Sequence, residues 1–302
     1  MTRKGWLLFI AISVIWGIPY LFIRIAVREL DPVVVVFARA TIATAVLLPL
    51  AASRKMLRPL LRHGLALLLF SLIHMVGSFV LIGYGEQHVS SSLTSLLIAA
   101  NPLLVALLAS RFEKSERING PRLVGLLVGM VGVIVLLGFE MRGDAYQWLG
   151  VALILLAALG YAISALLLKR PPLVELPRPA VAAAECSITA IILLPLTLLH
   201  LPSRIPSLNV LGSLLILGLI CTALALPTFF ALIKEVGATR GMVISYVNPA
   251  VSVLLGVMVL GEQYTIATIA GFLLIIAGSW LSTIGSLAAF TRLQNNEARG
   301  AQ

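Results

Sequence analysis

Two Asn-Pro pairs, Asn101-Pro102 and Asn248-Pro249, stand at the centres of otherwise apolar stretches. A proline removes one helical hydrogen bond and frees the carbonyl four residues before it, while an asparagine amide can bind such a carbonyl or a ligand. In lipid, a freed backbone group must find a partner or line a wet cavity. Each pair therefore predicts a substrate site or a hinge within a helix, and the alternative is a simple kink.

Three ionisable side chains also lie inside apolar stretches: Arg39, Glu185 and His74. Ionisable groups in such places mark function by default. We expect Arg39 to stabilise the outer half of the bundle or to attract a carboxylate, and Glu185 to take part in proton coupling. Their predicted depths differ by about 10 Å, which argues against a salt bridge between them; each can instead extend to its nearer interface. His74 can relay a proton or bond a neighbouring helix.

Polar and aromatic side chains recur on single helical faces, at spacings of three and four residues. Because a polar group facing lipid is costly, we expect these faces to turn inward around a cavity with aromatic walls, hydroxyls and amides. The predicted substrate-binding residues are Trp16, Tyr20, His74, Ser78, Tyr84, Asn101, Tyr161, Ser164, Tyr246 and Asn248, and the predicted hinge or gating residues are Gly17, Pro19, Pro102 and Pro249. Such a lining suits a neutral or zwitterionic solute with an apolar side chain. The alternative is that the small and hydroxylated residues only let helices approach one another.

The composition identifies the surroundings of these stretches as a lipid bilayer. Hydrophobic residues make up 60% of the 302 residues and charged residues 11%, with a mean hydropathy of +1.06. Ten apolar runs are long enough to cross a bilayer as helices: 6–23, 32–52, 63–83, 89–110, 120–139, 147–168, 179–200, 208–233, 237–260 and 264–285. Strands of a membrane barrel would be about ten residues of alternating polarity. We therefore predict an all-α membrane protein with ten transmembrane helices.

The basic residues predict the orientation in the membrane. Of 22 Lys and Arg residues, 17 fall on one side of the predicted spans, four on the other, and Arg39 within a span. The positive-inside rule places the richer side, with both termini, in the cytoplasm. The net charge of +10 is thus evidence on topology and gives no support for a nucleic-acid partner.

The two Asn-Pro pairs belong to an internal repeat. They are 147 residues apart, and Arg39 and Glu185 match at a separation of 146. We divide the chain into a first five-helix repeat at 1–144, a second at 145–285 and a short cytoplasmic tail at 286–302. A repeat with five spans starts and ends on opposite sides of the membrane, so the second copy is inverted, as in many secondary transporters.

Enzymatic chemistry finds no support in the sequence. Zinc-protease, P-loop and nucleophile-elbow motifs are absent, and the four histidines are scattered. Cys186 and Cys221 both lie in predicted spans and imply no disulfide framework. We therefore expect no catalytic residues, no metal and no cofactor.

The ten spans, the two halves, the prolines at mid-helix and "LGEQ" at 260–263 resemble the EamA-type transporters of the drug/metabolite transporter superfamily, over nearly the whole chain. Within this superfamily, the chain is most similar to YddG-like exporters of amino acids. The resemblance implies a monomer or homodimer in the bacterial inner membrane that exports small metabolites through a central cavity by alternating access. Alternatives are a lipid scramblase and export of a different metabolite. The first half ends its fourth span with "ASRFEKSER" rather than Gly-Glu, so the role of Glu262 does not carry over to Glu113 or Glu116.

Overall fold

A computed structural model describes residues 2–112, 120–140, 144–237, 244–263 and 265–282, which are helical with short connections. The helices are α1 Arg3–Gly17, α2 Pro19–Ala26, α3 Pro32–Ser53, α4 Gly64–Ser71, α5 Ser78–Glu86, α6 Ser91–Ile98, α7 Asn101–Phe112, α8 Gly120–Glu140, α9 Ala145–Leu167, α10 Arg178–Leu199, α11 Leu208–Leu215, α12 Ala225–Val236, α13 Ile244–Leu260 and α14 Ile266–Ser282. The predicted tail at 286–302 lies outside the described residues.

Several helices begin at a side chain that caps their free backbone N–H groups. Asp31 accepts from Val33, Ser90 from Leu93, Asp144 from Tyr146 and Ser207 from Val210. Such caps satisfy N–H groups that have no partner within the helix.

Seven segments are long and apolar enough to cross a membrane, from Arg3–Ala26 to Leu208–Val236, and three shorter apolar helices lie at Leu123–Gly138, Val247–Leu260 and Ile266–Ser282. Large apolar side chains such as Ile191 and Met258 are more than 70% exposed. A surface of this kind is suited to lipid rather than to water. The chain is an all-α, multi-pass membrane protein.

The two halves pack on each other in a pattern that repeats under exchange of the halves. α3 packs against α10; α1 packs against α13, and α9 correspondingly against α6 and α7. α8 and α14 approach so closely that a Cβ on Gly132 would lie 2.8 Å from the Gly271 carbonyl oxygen. This pairing of equivalent helices defines a two-repeat membrane fold.

The helix interruptions are less symmetric than the sequence predicts. The first span breaks at Ile18 between α1 and α2, and the fourth breaks at Ala99 and Ala100 just before Pro102. α13, in contrast, continues through Pro249, so the ninth span has no break to match that of the fourth. A proline removes one hydrogen bond, which a helix can absorb as a kink without ending.

Two π-helical segments were not predicted from the sequence. They occupy Leu72–Gly77 between α4 and α5, and Ile216–Leu224 between α11 and α12. Shifting the first by the repeat separation of 146 residues places it within the second. Each inserts a wider turn into a membrane helix and redirects the side chains that follow.

Candidate functional site

The first π-helical segment carries His74, which forms a pair with Glu185 on α10. The distance between His74 Nδ1 and Glu185 Oε1 is 2.5 Å. Three aromatic rings surround the imidazole, with centroids 5.2 Å away for Phe70, 5.9 Å for Phe79 and 5.3 Å for Tyr161. The His74 side chain is 33% exposed and that of Glu185 9%. The pair is thus partly exposed through the imidazole, while its carboxylate is buried.

The second π-helical segment binds Arg39 of α3. Arg39 Nε donates to the Thr222 hydroxyl at 2.8 Å, and Nη2 to the Cys221 carbonyl at 3.5 Å. The Thr222 hydroxyl in turn donates to the Leu217 carbonyl five residues earlier, a bond that the π-helical turn makes possible. The guanidinium also lies 4.4 Å from the ring centroid of Phe79, a cation-π contact. The buried charge of Arg39 therefore has both hydrogen-bond and aromatic partners.

The two charged residues occupy equivalent positions of the repeat and make equivalent contacts. Arg39 in the first half reaches the π-helical segment of the second, and Glu185 in the second half reaches that of the first. Within the described ranges the structure contains no Arg39–Glu185 ion pair, in keeping with their expected separation. Phe79 links the two sites, because its ring contacts both Arg39 and His74.

The predicted aromatic residues divide into two groups. Tyr161 contacts His74 and makes an edge contact with Phe79 at 6.0 Å, and Tyr20 packs on the same apolar cluster as Tyr161. Trp16 packs in another cluster, with its ring centroid 4.8 Å from that of Phe229. The break at Ile18 separates Trp16 from Tyr20, so the two do not form a single wall.

The predicted hydroxyl residues are bonded within the protein. Ser78 donates to the Ile73 carbonyl and Ser164 to the Gly160 carbonyl, each within its own helix. The Tyr84 hydroxyl donates to the carboxylate of Asp31, 3.1 Å from each oxygen. The structure therefore does not bring these three together with His74 as free polar groups.

The two predicted asparagines have different surroundings. With its nitrogen turned towards them, the Asn248 amide donates to the carbonyls of Ser13 at 3.2 Å and Ile244 at 2.9 Å, which ties α13 to α1. The buried Asn101 Oδ1 has no hydrogen-bond partner among the residues that the structure describes. Asn101 thus has a buried acceptor without a described partner, whereas the Asn248 amide is bonded. The side chain of Tyr246 lies outside the described residues.

The predicted hinge residues lie at helix contacts as well as at breaks. Gly17 and Pro19 flank the break at Ile18, and a Cβ on Gly17 would come 2.5 Å from that of Val251. Pro102 follows the break at Ala100, whereas Pro249 is buried inside a continuous helix.

We call the end of the bundle that holds the loops 27–31 and 200–207 the far end. Carboxylates at the far end connect helices to one another. Glu262 accepts from the backbone N–H and hydroxyl of both Ser91 and Ser92, and so caps α6 from outside. The Ser207 hydroxyl and backbone N–H donate to Glu29, which lowers the pKa of that carboxyl below its usual range. Glu262 thus joins the second repeat to the fourth span of the first.

Two residues near these sites were missed by the sequence analysis. Phe79 is apolar and gave no signal of an inward position. Glu86 is the last residue of α5, fully buried, with neither carboxylate oxygen bonded to any described residue. Its place beyond the predicted end of the third span, at residue 83, made it look like a loop residue. Within the described ranges no group of three or more His, Cys, Asp or Glu side chains could hold a metal ion.

Comparison with known proteins gives consistent matches over most of the chain. The model of the EamA-like transporter family matches residues 3–138 and again 148–284. "Uncharacterized transporter YoaV" of Bacillus subtilis (strain 168) is 27% identical over 282 residues, 91% of this chain and 94% of that protein. A "Probable amino-acid metabolite efflux pump" of Salmonella typhimurium is 26% identical over 296 residues, 94% of this chain and 96% of that protein. One crystal structure, 20% identical, superposes with a TM-score of 0.67 over 95% of this chain and 99% of its own, and so has the same fold.

Proposed function

Because this chain belongs to the EamA-like transporter family, we propose that it exports amino acids with aromatic or other apolar, neutral side chains from the cytoplasm by alternating access. It is a membrane transporter of the drug/metabolite type, and its substrate is a small molecule. The observation that carries the proposed substrate class is the His74–Glu185 pair, walled by aromatic rings and linked through Phe79 to the buried Arg39.

This arrangement matches the chemistry of a zwitterion with an apolar side chain. A carboxylate such as Glu185 attracts an ammonium group, and a guanidinium such as Arg39 attracts a carboxylate. The rings of Phe79 and Tyr161 offer faces for an apolar or aromatic side chain. The name of the Salmonella typhimurium relative agrees with this substrate class.

The pair also provides a coupling group. A histidine and a glutamate at hydrogen-bond distance bind protons jointly, so a proton on either group belongs to the pair. An ammonium group that binds Glu185 competes with the proton there. We therefore propose exchange of substrate for protons at this pair, with Asn101 as a further polar contact beside the break in the fourth span.

The test is efflux of preloaded amino acids from proteoliposomes, with and without an imposed pH gradient. We expect saturable efflux from the parent that a gradient accelerates. Glu185→Gln, which keeps a hydrogen-bond partner for His74 but cannot ionise, should lose the response to the gradient. Glu175→Gln serves as the matched control, because Glu175 is an exposed carboxylate of the loop before α10.

Two other outcomes of the efflux experiment would contradict different parts of the proposal. If no amino acid moves from the parent, the substrate class is wrong, and lipids and other metabolites should be screened in the same vesicles. If amino acids move and Glu185→Gln responds to the gradient like the parent, the coupling role of the pair is wrong while the substrate class stands.

A further inference from the structure

Glu86 lies in an unusual position for a carboxylate. It ends α5 with none of its surface exposed, and both of its oxygens lack hydrogen-bond partners among the described residues. Burying an ionised carboxylate without a partner is very costly, so such a group is stable only in its neutral, protonated form. The conformation seen here is therefore the one that Glu86 adopts with a proton bound.

Two of the helices that pack against α5, the helix of Glu86, belong to interrupted spans. α5 packs against α2, α6 and α9, and α2 packs against α6. α2 follows the break at Ile18, and α6 precedes the break at Ala99. Both are therefore short segments that can move at the far end without disturbing the rest of their spans. Hinges of this kind are typical of domain or lid closure.

The far end is closed in this conformation. Every residue of α6 from 91 to 97 is at most 5% exposed, and Glu262 holds its first turn in place. Near the middle of the bundle, in contrast, Trp16 and His74 keep part of their surface exposed. Opening of the far end would have to move α2 or α6 away from α5, and this would bring water to Glu86.

The charged and titratable groups near Glu86 come from three directions. Arg24 and Tyr20 belong to the first span, Tyr161 to α9, and Glu262 to the connection after α13. α6 itself contributes no titratable side chain. Once Glu86 is ionised and hydrated, Arg24 stabilises its charge and Glu262 opposes it.

From these contacts we propose that Glu86 is a proton-binding site that controls the far-end gate: the protonated carboxyl holds α2 and α6 closed over it, and loss of the proton opens them. The proton passes between water at the far end and one carboxylate oxygen. A proton taken up from that side would close the gate and return the transporter to the conformation seen here. This proposal rests on alternating access, but not on the identity of the solute.

The test measures how readily a thiol reagent reaches the buried helix α6. Ser95 of α6 is 1% exposed, so Ser95→Cys is a nearly isosteric reporter of opening. In a background with Cys186 and Cys221 replaced by alanine, an impermeant maleimide is added to proteoliposomes. The labelling rate is divided by that of Ile205→Cys, an always exposed position at the same end. This ratio removes the pH dependence of the thiol reaction and corrects for vesicle orientation.

We expect the ratio to rise with increasing pH, by no more than about tenfold per pH unit, as the release of a single proton requires. With Glu86→Gln added, the ratio should stay low at every pH. With Arg24→Gln added, the rise should move to higher pH, because the ionised carboxylate loses a stabilising charge. Asp144→Asn, an exposed carboxylate of the same end, should behave like the parent.

A ratio that does not change with pH in the parent, or a Glu86→Gln protein that opens with pH like the parent, would overturn the proposal. Gel filtration confirms that each variant is folded before labelling, and the Arg24→Gln shift tests the site without altering Glu86 itself. Because no solute is needed, a pH-dependent gate can be established even if amino-acid efflux fails.

Discussion

At the scale of single residues, the energy of one hydrogen bond of the buried Arg39 can be measured apart from its other contacts. Its Nε bond to Thr222 crosses from one half of the protein to the other. We expect Arg39→Gln and Thr222→Val each to destabilise the protein. Because both remove the same bond, the double variant should be more stable than the sum of the single effects by about 1–2 kcal/mol.

The measurement is the free energy of unfolding in detergent with increasing denaturant, for the parent, both single variants and the double variant. Thr228→Val is the control, because the Thr228 hydroxyl bonds only the carbonyl of its own helix. Additive effects of Arg39→Gln and Thr222→Val would mean that the Nε bond does not join the two halves energetically.

An ionisable side chain within an apolar stretch was the signal by which the sequence pointed to His74, Glu185 and Arg39. The same signal could not reveal Phe79, since an apolar ring looks alike whether it faces lipid or a guanidinium. It also failed for Glu86, because hydropathy placed the end of its span three residues too early. For the hydroxyl residues it was incomplete, since Ser78 and Ser164 satisfy their polarity by bonding their own helices.

At the scale of elements, the contact between α5 and α9 depends on a glycine. A Cβ on Gly160 would lie 2.4 Å from Ser78 Oγ but 3.7 Å from Ser78 Cβ. Gly160→Ala should therefore force the helices apart and lower the stability by about 1–3 kcal/mol.

Ser78→Ala removes the oxygen that causes this clash. We expect the Gly160→Ala/Ser78→Ala protein to be more stable than Gly160→Ala alone, as measured by thermal unfolding in detergent. Gly212→Ala is the control, because its Cβ would meet no atom within 4 Å. A double variant less stable than Gly160→Ala would show that the Ser78–Ile73 bond matters more than the close contact.

The helices and their interruptions show which structural features the sequence patterns could not predict. Apolar runs located the spans because the thickness of the bilayer sets their length. The two Asn-Pro pairs are alike in sequence, yet one follows a break and the other lies in a continuous helix, whose Asn248 amide is tied to α1. The π-helical segments had no compositional signal, since a wider turn depends on which carbonyl a later residue can reach.

At the scale of the whole molecule, the inverted repeat explains why two dissimilar sites share one geometry. The repeat places Arg39 and Glu185 at equivalent positions, and each contacts the π-helical segment of the opposite half. One of these contacts holds a buried cation, and the other is the partly exposed His74–Glu185 pair. In the proposed alternating access, the two similar halves exchange conformations and the dissimilar side chains give this exchange a direction.

That direction depends on which end of the bundle faces the cytoplasm. The described loops rich in lysine and arginine lie at the end opposite Glu86, and the positive-inside rule assigns this basic end to the cytoplasm. We expect an impermeant maleimide to label Ile205→Cys on intact bacterial cells, and Ser53→Cys only after the cells are opened. Both positions are exposed in the fold, and the two native cysteines are buried. The reverse pattern would place the Glu86 gate in the cytoplasm, so that proton uptake there would close the inner face and the same chemistry would import its solute.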